Sequence, residues 1–259
     1  MMTVNAMANN QMDLAMARIA SGQRVNSAAD DAAGLAIMQG MEAQIRGLDQ
    51  GLENTRDMQN LIRTADSGLE NIGDGLNRIR ELSIQAANGT NTQADRDRIQ
   101  HEITEIVDHI AATTRNTQFN TMPLLDGSSR NTASNPDGTG LQVNIADMSE
   151  VAQAVTQFNV AEELTFENLN DIDTAMAAVN AERASLGAME NRLDFTAEAN
   201  AVASQNLNEA RSQIADADIA REVANLRQEE VLNQVQILMQ QNEQERAENE
   251  QIPPAAAVM

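Results

Sequence analysis

Cysteine, tryptophan and tyrosine are absent from this 259-residue chain, and phenylalanine occurs only four times. Without cysteine there is no disulfide, no thiol nucleophile and no cysteine-ligated zinc. Aromatic rings normally supply much of the buried area of a rounded core. A 2% aromatic share beside 42% hydrophobic residues therefore points away from a single compact globule. Alanine and methionine carry much of the apolar count, and both suit helices. Cations are scarce as well: 17 Lys+Arg stand against 39 Asp+Glu, a formal charge of −22. Such a charge repels phosphate backbones and anionic lipid, so neither nucleic acid nor a membrane surface is expected as a partner. No stretch approaches the ~20 apolar residues of a membrane span. Asp13 and Arg18 interrupt the first twenty residues, so no cleaved signal peptide is expected and an extracellular destination would need another export route.

The four prolines are Pro123, Pro136, Pro253 and Pro254, which leaves residues 1–122 and 137–252 free of the strongest helix breaker. Between them, Asp126 to Gly140 reads DGSSRNTASNPDGTG, a cluster of turn-forming residues. Leu141, Val143 and Ile145 then alternate with polar residues, a short strand signal. The chain thus divides into a helical arm, a small irregular middle and a second helical arm.

In the first arm Ser27 followed by Asp30 resembles an N-cap with an acid in the first turn. Leu35, Met38, Met41, Ile45, Leu48 and Leu52 recur at steps of three and four. Ile62, Ala65, Leu69, Ile72, Leu76, Ile79, Ser83 and Ala86 continue as a heptad seam. Asn88-Gly89-Thr90-Asn91 ends it, and Thr92-x-x-Asp95 reads as the cap of a further helix carrying Ile99, Ile103, Ile106 and Ile110. Phe119 to Pro123 stops that helix. In the second arm Leu186, Met189, Leu193, Thr196, Asn200, Ala203, Leu207, Ala210, Ile214 and Ala217 repeat the same alternation. The pattern predicts one helix running on to Leu238, roughly 80 Å at ~1.5 Å per residue. Neither seam can bury itself. The expected fold is mainly α: an elongated antiparallel bundle of the two arms, with a small irregular or β segment at the far tip.

Little in the chain offers chemistry. His101 and His109 are eight apart, ~12 Å along a helix axis, too far to share a metal ion. Acidic pairs such as Asp30-Asp31 and Asp216-x-Asp218 are expected from abundance alone. There is no phosphate-binding loop, dinucleotide fingerprint or nucleophile elbow. Glu243, Glu245, Glu248 and Glu250, with Arg246, read as a solvated terminal face. No catalytic residue, cofactor or metal is expected, and a structural or interaction protein remains. Seams left unpaired could join copies of the chain into a helical filament.

Specific runs of residues sharpen this. Arg18-Ile-Ala-Ser-Gly-Gln-Arg-Val-Asn-Ser-Ala-Ala-Asp-Asp-Ala-Ala-Gly-Leu-Ala-Ile37 and Ala43-Gln-Ile-Arg-Gly-Leu48 resemble the amino-terminal signature of bacterial flagellins. Arg78-Ile-Arg-Glu-Leu-Ser-Ile-Gln-Ala-Ala-Asn-Gly-Thr-Asn91 is similar to that family's most recognisable stretch, and Gln118-Phe119-Asn120 with Leu124-Leu125 to the exit from its third helix. Arg183 to Leu193 and Ala215-Asp-Ala-Asp-Ile-Ala220 resemble the carboxyl-terminal signature. The likeness covers about residues 12–127 and 165–240, in order.

The resemblance implies a subunit exported by the flagellar type III apparatus without a cleaved signal peptide, which polymerises into the extracellular filament used for motility. It implies an inner layer from residues 1–32 and 215–259, a helical layer from 33–127 and 160–214, and a short outward-facing variable region at 128–159. The bundle seam would include Ile62, Leu69, Ile72, Leu76, Ile79, Leu186, Met189, Leu193, Leu207 and Ile214. Implied partners are copies of the chain itself, an export chaperone, and cap and junction proteins. The animal Toll-like receptor that senses flagellin is a further one, with Arg78, Glu81, Leu82, Gln85 and Glu102 matching its epitope. Leu82, one place before the seam residue Ser83, is expected to be an exposed apolar anchor. The amino terminus is shorter than the family norm, and the acidic ending EQERAENEQIPPAAAVM replaces the usual apolar one. These departures leave room for a minor or divergent flagellin, and the acidic tail for a paralogue that acts as an interaction module without polymerising; a hook–filament junction protein, which shares both terminal signatures, is the nearest rival.

Overall fold

The computed structural model describes residues 2–156, 159–160 and 166–250. Its helices are α1 (Met2–Ser21), α2 (Ala32–Ala86), α3 (Gln93–Asn116), α4 (Ser149–Thr156), α5 (Phe166–Ala215) and α6 (Ile219–Glu250). Its strands are β1 (Gln118–Phe119), β2 (Met122–Pro123), β3 (Ser129–Ala133) and β4 (Gly140–Asn144). The elements group into two compact units, one of Gln44–Gln205 and one of Met1–Ala43 with Asn206–Met259.

The larger unit is organised by the heptad seam of α2. Ile62, Ala65, Leu69, Ile72, Leu76, Ile79, Ser83 and Ala86 are all 2% exposed or less. All but Ser83 share one apolar core with Ile172, Val179, Leu186 and Leu193 of α5 and with Ile99, Ile103, Val107 and Ile110 of α3, and Met189 packs half-buried against it. Because two helices cover α2, its buried stripe is broader than a two-helix seam, and Leu61 and Leu82 also lie inside. Buried hydroxyls at Thr55, Ser83 and Thr114 each donate to the carbonyl one turn back, so none of the three is left unsatisfied.

Cross-helix polar contacts fix the pairing. Ser204 donates to Asp49, Gln59 to Asp194 and Arg63 to Glu190, while Arg80 reaches Asp173. From Asp49 to Arg80, α2 advances 31 residues; from Ser204 to Asp173, α5 retreats by the same 31. The two helices are therefore antiparallel and keep one register throughout. Helix α3 also runs back along α2, since Glu102 pairs with Arg78 and Thr117 comes to lie against Gly68. It begins with the expected capping box, in which Thr92 and Asp95 each satisfy the other's backbone N–H.

The middle of the chain departs from expectation. Phe119 to Pro123 does not merely end a helix; β1 and β2 form a tight hairpin whose turn residues Asn120 and Thr121 have φ of 48° and 64°. Ser129–Ala133, read from sequence as turn, is strand β3, paired antiparallel with β4 from Ser129↔Asn144 to Ala133↔Gly140. Nor does this hairpin sit at a far tip. Asn54 donates to the Ala133 carbonyl, and Asn200 to that of Ser134 at 2.6 Å. Gly51 leaves no room for a Cβ, because the Ser134 carbonyl occupies that space. The hairpin thus folds back along α2 and α5, and Val143 and Ile145 join their core. Turn-rich composition hid β3, because its residues carry no apolar alternation and its carrier helices are distant in sequence.

Two further expectations fail. The second arm is not one helix to Leu238: α5 ends at Ala215, and Asp218 caps a new helix by accepting from the Arg221 N–H. The cap of α2 is Asp31, whose carboxylate accepts the Gly34 N–H at 2.8 Å, and not Ser27. Residues 251–259, including Pro253 and Pro254, and the side chains of Glu248 and Glu250 lie outside the described residues; Glu243, Glu245 and Arg246 are exposed.

Apolar burial and ionic contacts should separate cleanly on mutation. Leu76→Ala should cost about 2–5 kcal/mol in denaturant unfolding. Arg63→Ala, which breaks a largely exposed ion pair, should cost no more than ~1 kcal/mol.

Candidate functional site: the joint and free faces of the terminal helices

Helix α1 stops at Ser21 because Gly22 adopts φ 70°, and its N–H closes the last turn on the Arg18 carbonyl. The chain then pairs with the break between α5 and α6. Arg24 N–H donates to the Ala215 carbonyl at 2.6 Å, Ala217 N–H donates to the Gly22 carbonyl at 2.9 Å, and Gln23 bridges Asp216 antiparallel. The Arg24 guanidinium adds a bond to the Ile214 carbonyl at 2.7 Å. Val25, Met38 and Ala215 form a small core beneath, with Leu35 and Ile214 against it. Two stretches almost two hundred residues apart are thereby joined through backbone atoms.

Charges surround this joint. Asp30 accepts from the Ser27 hydroxyl, the Ser27 N–H and the Asn26 N–H. These bonds, led by the hydroxyl, and the nearby Arg18 hold its carboxyl below the usual carboxylate range. Arg18 lies 3.7 Å from Asp30 and 3.8 Å from Glu222, tying the end of α1 to the start of α6. The two terminal helices pack together, the last turn of α1 beside the first of α6, so they run in opposite directions.

Beyond the joint, apolar side chains face outward. Val231, Leu232, Val235, Leu238 and Met239 of α6 are 46–60% exposed, and Leu14 and Met16 of α1 are similarly open. Val231, Val235 and Leu238 fall on one helical stripe. Such a row marks an interaction surface rather than a solvated face. The sequence pattern carried the helix on to Leu238, but could not tell a seam buried within the chain from one that faces outward. Leu207 and Ile214, also read as seam, are half-buried.

In the larger unit Arg78 bonds Glu102 at 2.7 Å and Glu81 at 3.2 Å, and with Gln85 these form an exposed polar surface across α2 and α3. Leu82 does not belong to that surface. It is 2% exposed, because α3 covers the flank of α2 that a simple two-helix pairing would have left open. Among the described residues, the open large apolar side chains of this unit are Ile84, Phe195 and Val202, none of which the heptad pattern marks. His101 and His109 are both exposed, and among the described residues no three His, Asp or Glu side chains are grouped as metal ligands. No helix among them is long and apolar enough to cross a membrane.

Residues 1–130 match the family described as bacterial flagellin N-terminal helical region, and residues 169–247 match its counterpart, the bacterial flagellin C-terminal helical region. The chain belongs to the bacterial flagellin family. A flagellin of Halalkalibacterium halodurans is 37% identical, the match covering 92% of this chain and 90% of that one. The flagellar filament 30.7 kDa core protein of Treponema maltophilum is 33% identical over 93% and 91%. The crystal structure of Bacillus cereus flagellin superposes with a TM-score of 0.51 at 31% identity, over 57% of this chain and 88% of that chain. Flagellins are structural proteins of the extracellular filament, and this chain is one of its structural subunits. The two signature stretches of this flagellin, Ser21-Gly22-x-Arg24 and Ala215-Asp216-Ala217-Asp218, are the strands of the joint.

A carboxylate held below its ordinary range contributes stability while ionised and loses it as it protonates. The Asp30 loop should therefore be stable at neutral pH and weaken as pH falls below about 4. Asp30→Asn should remove that acid dependence, as read from unfolding midpoints across pH, and the Asp30 carboxyl should titrate lower than a free side chain by NMR.

Proposed function

We propose that this flagellin polymerises through the outward apolar faces of α1 and α6, which become the inner layer of the tube. The row Val231, Leu232, Val235, Leu238 and Met239 carries this reading, because it combines heptad-like spacing with 46–60% exposure. Residues 1–32 and 215–259 supply that layer, 33–127 and 160–214 the next, and 128–159 the outer surface. The hairpin of β3 and β4 is short enough to leave the outer surface thinly covered. Export proceeds through the flagellar type III apparatus, for which a chain without disulfides is suited. An export chaperone would cover the α6 row before assembly, and cap and junction proteins would meet it at the filament ends. A junction protein, or a paralogue that never polymerises, is the less favoured reading, since the relatives matching at 33–37% identity over nine-tenths of the chain are a flagellin and a filament core protein.

A second reading rests on the ionic cluster of Arg78, Glu81 and Glu102. With Gln85, it offers the animal flagellin-sensing receptor a polar surface whose cation is held in place by two carboxylates. Leu82 would support this surface from beneath and not touch the receptor.

Burying two aliphatic side chains at each contact is worth about 3–6 kcal/mol. Val235→Asp combined with Leu238→Asp should therefore raise the critical concentration for salt-induced assembly by at least ~100-fold. Electron microscopy and sedimentation should find monomers, with helical circular dichroism unchanged. Filaments at the parental concentration would exclude the α6 face as the assembly surface. For the receptor, Arg78→Ala should weaken a reporter-cell response by about tenfold without lowering stability. Leu82→Ala should reduce the response only in step with its loss of folding stability; a larger drop in a fully folded variant would return Leu82 to the contact surface.

A further inference from the structure

We propose that Asn88-Gly89, in the exposed turn between α2 and α3, is a self-modifying site at which the asparagine amide is lost through a cyclic imide. It is the one Asn-Gly pair in the chain. The Asn88 Oδ1 accepts two hydrogen bonds, from the Thr90 N–H at 3.2 Å and the Thr90 hydroxyl at 3.0 Å. The first closes a ring that contains the Gly89 nitrogen, so the side-chain carbonyl is folded over the atom that attacks it. The Gly89 N–H itself makes no hydrogen bond among the described residues, and nothing lies within 4 Å of where a Cβ would stand. The nucleophile is free and the electrophile is already polarised.

The chemistry needs only water and hydroxide. Hydroxide takes the Gly89 N–H proton, and the nitrogen bonds to Asn88 Cγ. Negative charge develops on Oδ1, where both Thr90 donors already point. The Cγ–Nδ2 bond then breaks, and the amide nitrogen leaves as ammonia after taking a proton from water. Water opens the imide to an aspartyl or isoaspartyl link, with no change of oxidation state. The product alters the joint it forms in. A carboxylate appears beyond the C-terminal end of α2, where the helix dipole disfavours negative charge. An isoaspartyl link adds a backbone atom to a turn held by the Asn91 N–H on the Asn88 carbonyl at 3.0 Å and by the Asn91 side chain on the Gln85 carbonyl at 2.6 Å.

The test is peptide mapping of the full-length protein aged at mildly alkaline pH, native and urea-unfolded. Asn88 should lose its amide ahead of every other asparagine, faster in the native chain than in the unfolded one, and faster as pH rises. Thr90→Val, which removes one of the two donors, should slow the native rate by about three- to tenfold. Thr90→Ser, which keeps both donors, should restore it, and this guards against a trivial folding defect. Gly89→Ala should slow the reaction in both states. A native rate at or below the unfolded rate, or a Thr90→Val rate equal to the parent's, overturns the proposal.

Discussion

A helix with an apolar stripe too broad for one partner cannot exist alone in water, and the larger unit is the solution to that problem. Leu61, Ile62, Leu69, Ile72, Leu76, Ile79 and Leu82 span more of the α2 circumference than α5 can cover. Helix α3 turns back to take the second flank, and the β3–β4 hairpin takes what α3 leaves near Asn54. Each buried aliphatic side chain is worth about 1.5–3 kcal/mol. An exposed ion pair is worth about 0–1 kcal/mol. Burial therefore decides that α2 and α5 pair, while the polar contacts spaced along them decide the register in which they do so. A slip by one heptad would keep much of the apolar contact and lose every pin from Asp49 to Arg80.

How much of this is legible in the chain follows from the range of each interaction. The seam, the Thr92 cap and strand β4 are local patterns, visible in a window of ten residues. Every heptad position from Ile62 to Ala86 is buried as its spacing requires. What was hidden depends on contacts across the fold. Strand β3 has no apolar alternation of its own, since only Thr132 of its five residues is buried, and it is a strand because β4 and Asn54 supply its bonds. The burial of Leu82 needs α3 to be in place. The break at Asp216 to Asp218 was masked by a seam that continues in phase across it. Only Asp218, a capping residue followed by a helix, signalled it locally.

That break brings together two short signature stretches from opposite ends of the chain. Gly22 must take a left-handed conformation, and its neighbours must offer backbone groups to Ala215 and Ala217. Side chains at these positions are constrained by a pairing that neither stretch can make alone. Two sets of apolar positions have different tasks: the buried seam of the larger unit and the exposed row of α6. Nothing in composition distinguishes those two sets, because valine and leucine at steps of three and four look the same whether the partner is intramolecular or another copy.

All 17 cations are arginine, and the chain has no lysine. This bears directly on the register pins. Arginine stays charged at any pH a protein meets, whereas lysine loses its charge in the alkaline range. Hydrogen bonding to Asp66 raises the Arg183 pKa further, and Glu102 does the same for Arg78. Arg63 and Arg80, two of the register pins, reach their carboxylates across the helix pair at 2.7 and 2.8 Å. Contacts between copies obey a different balance. Each subunit carries a net −22, so neighbours repel until salt shortens that repulsion to about 10 Å at 0.1 M. The same charge pattern therefore supplies pins within one subunit while leaving its association with others dependent on ionic strength.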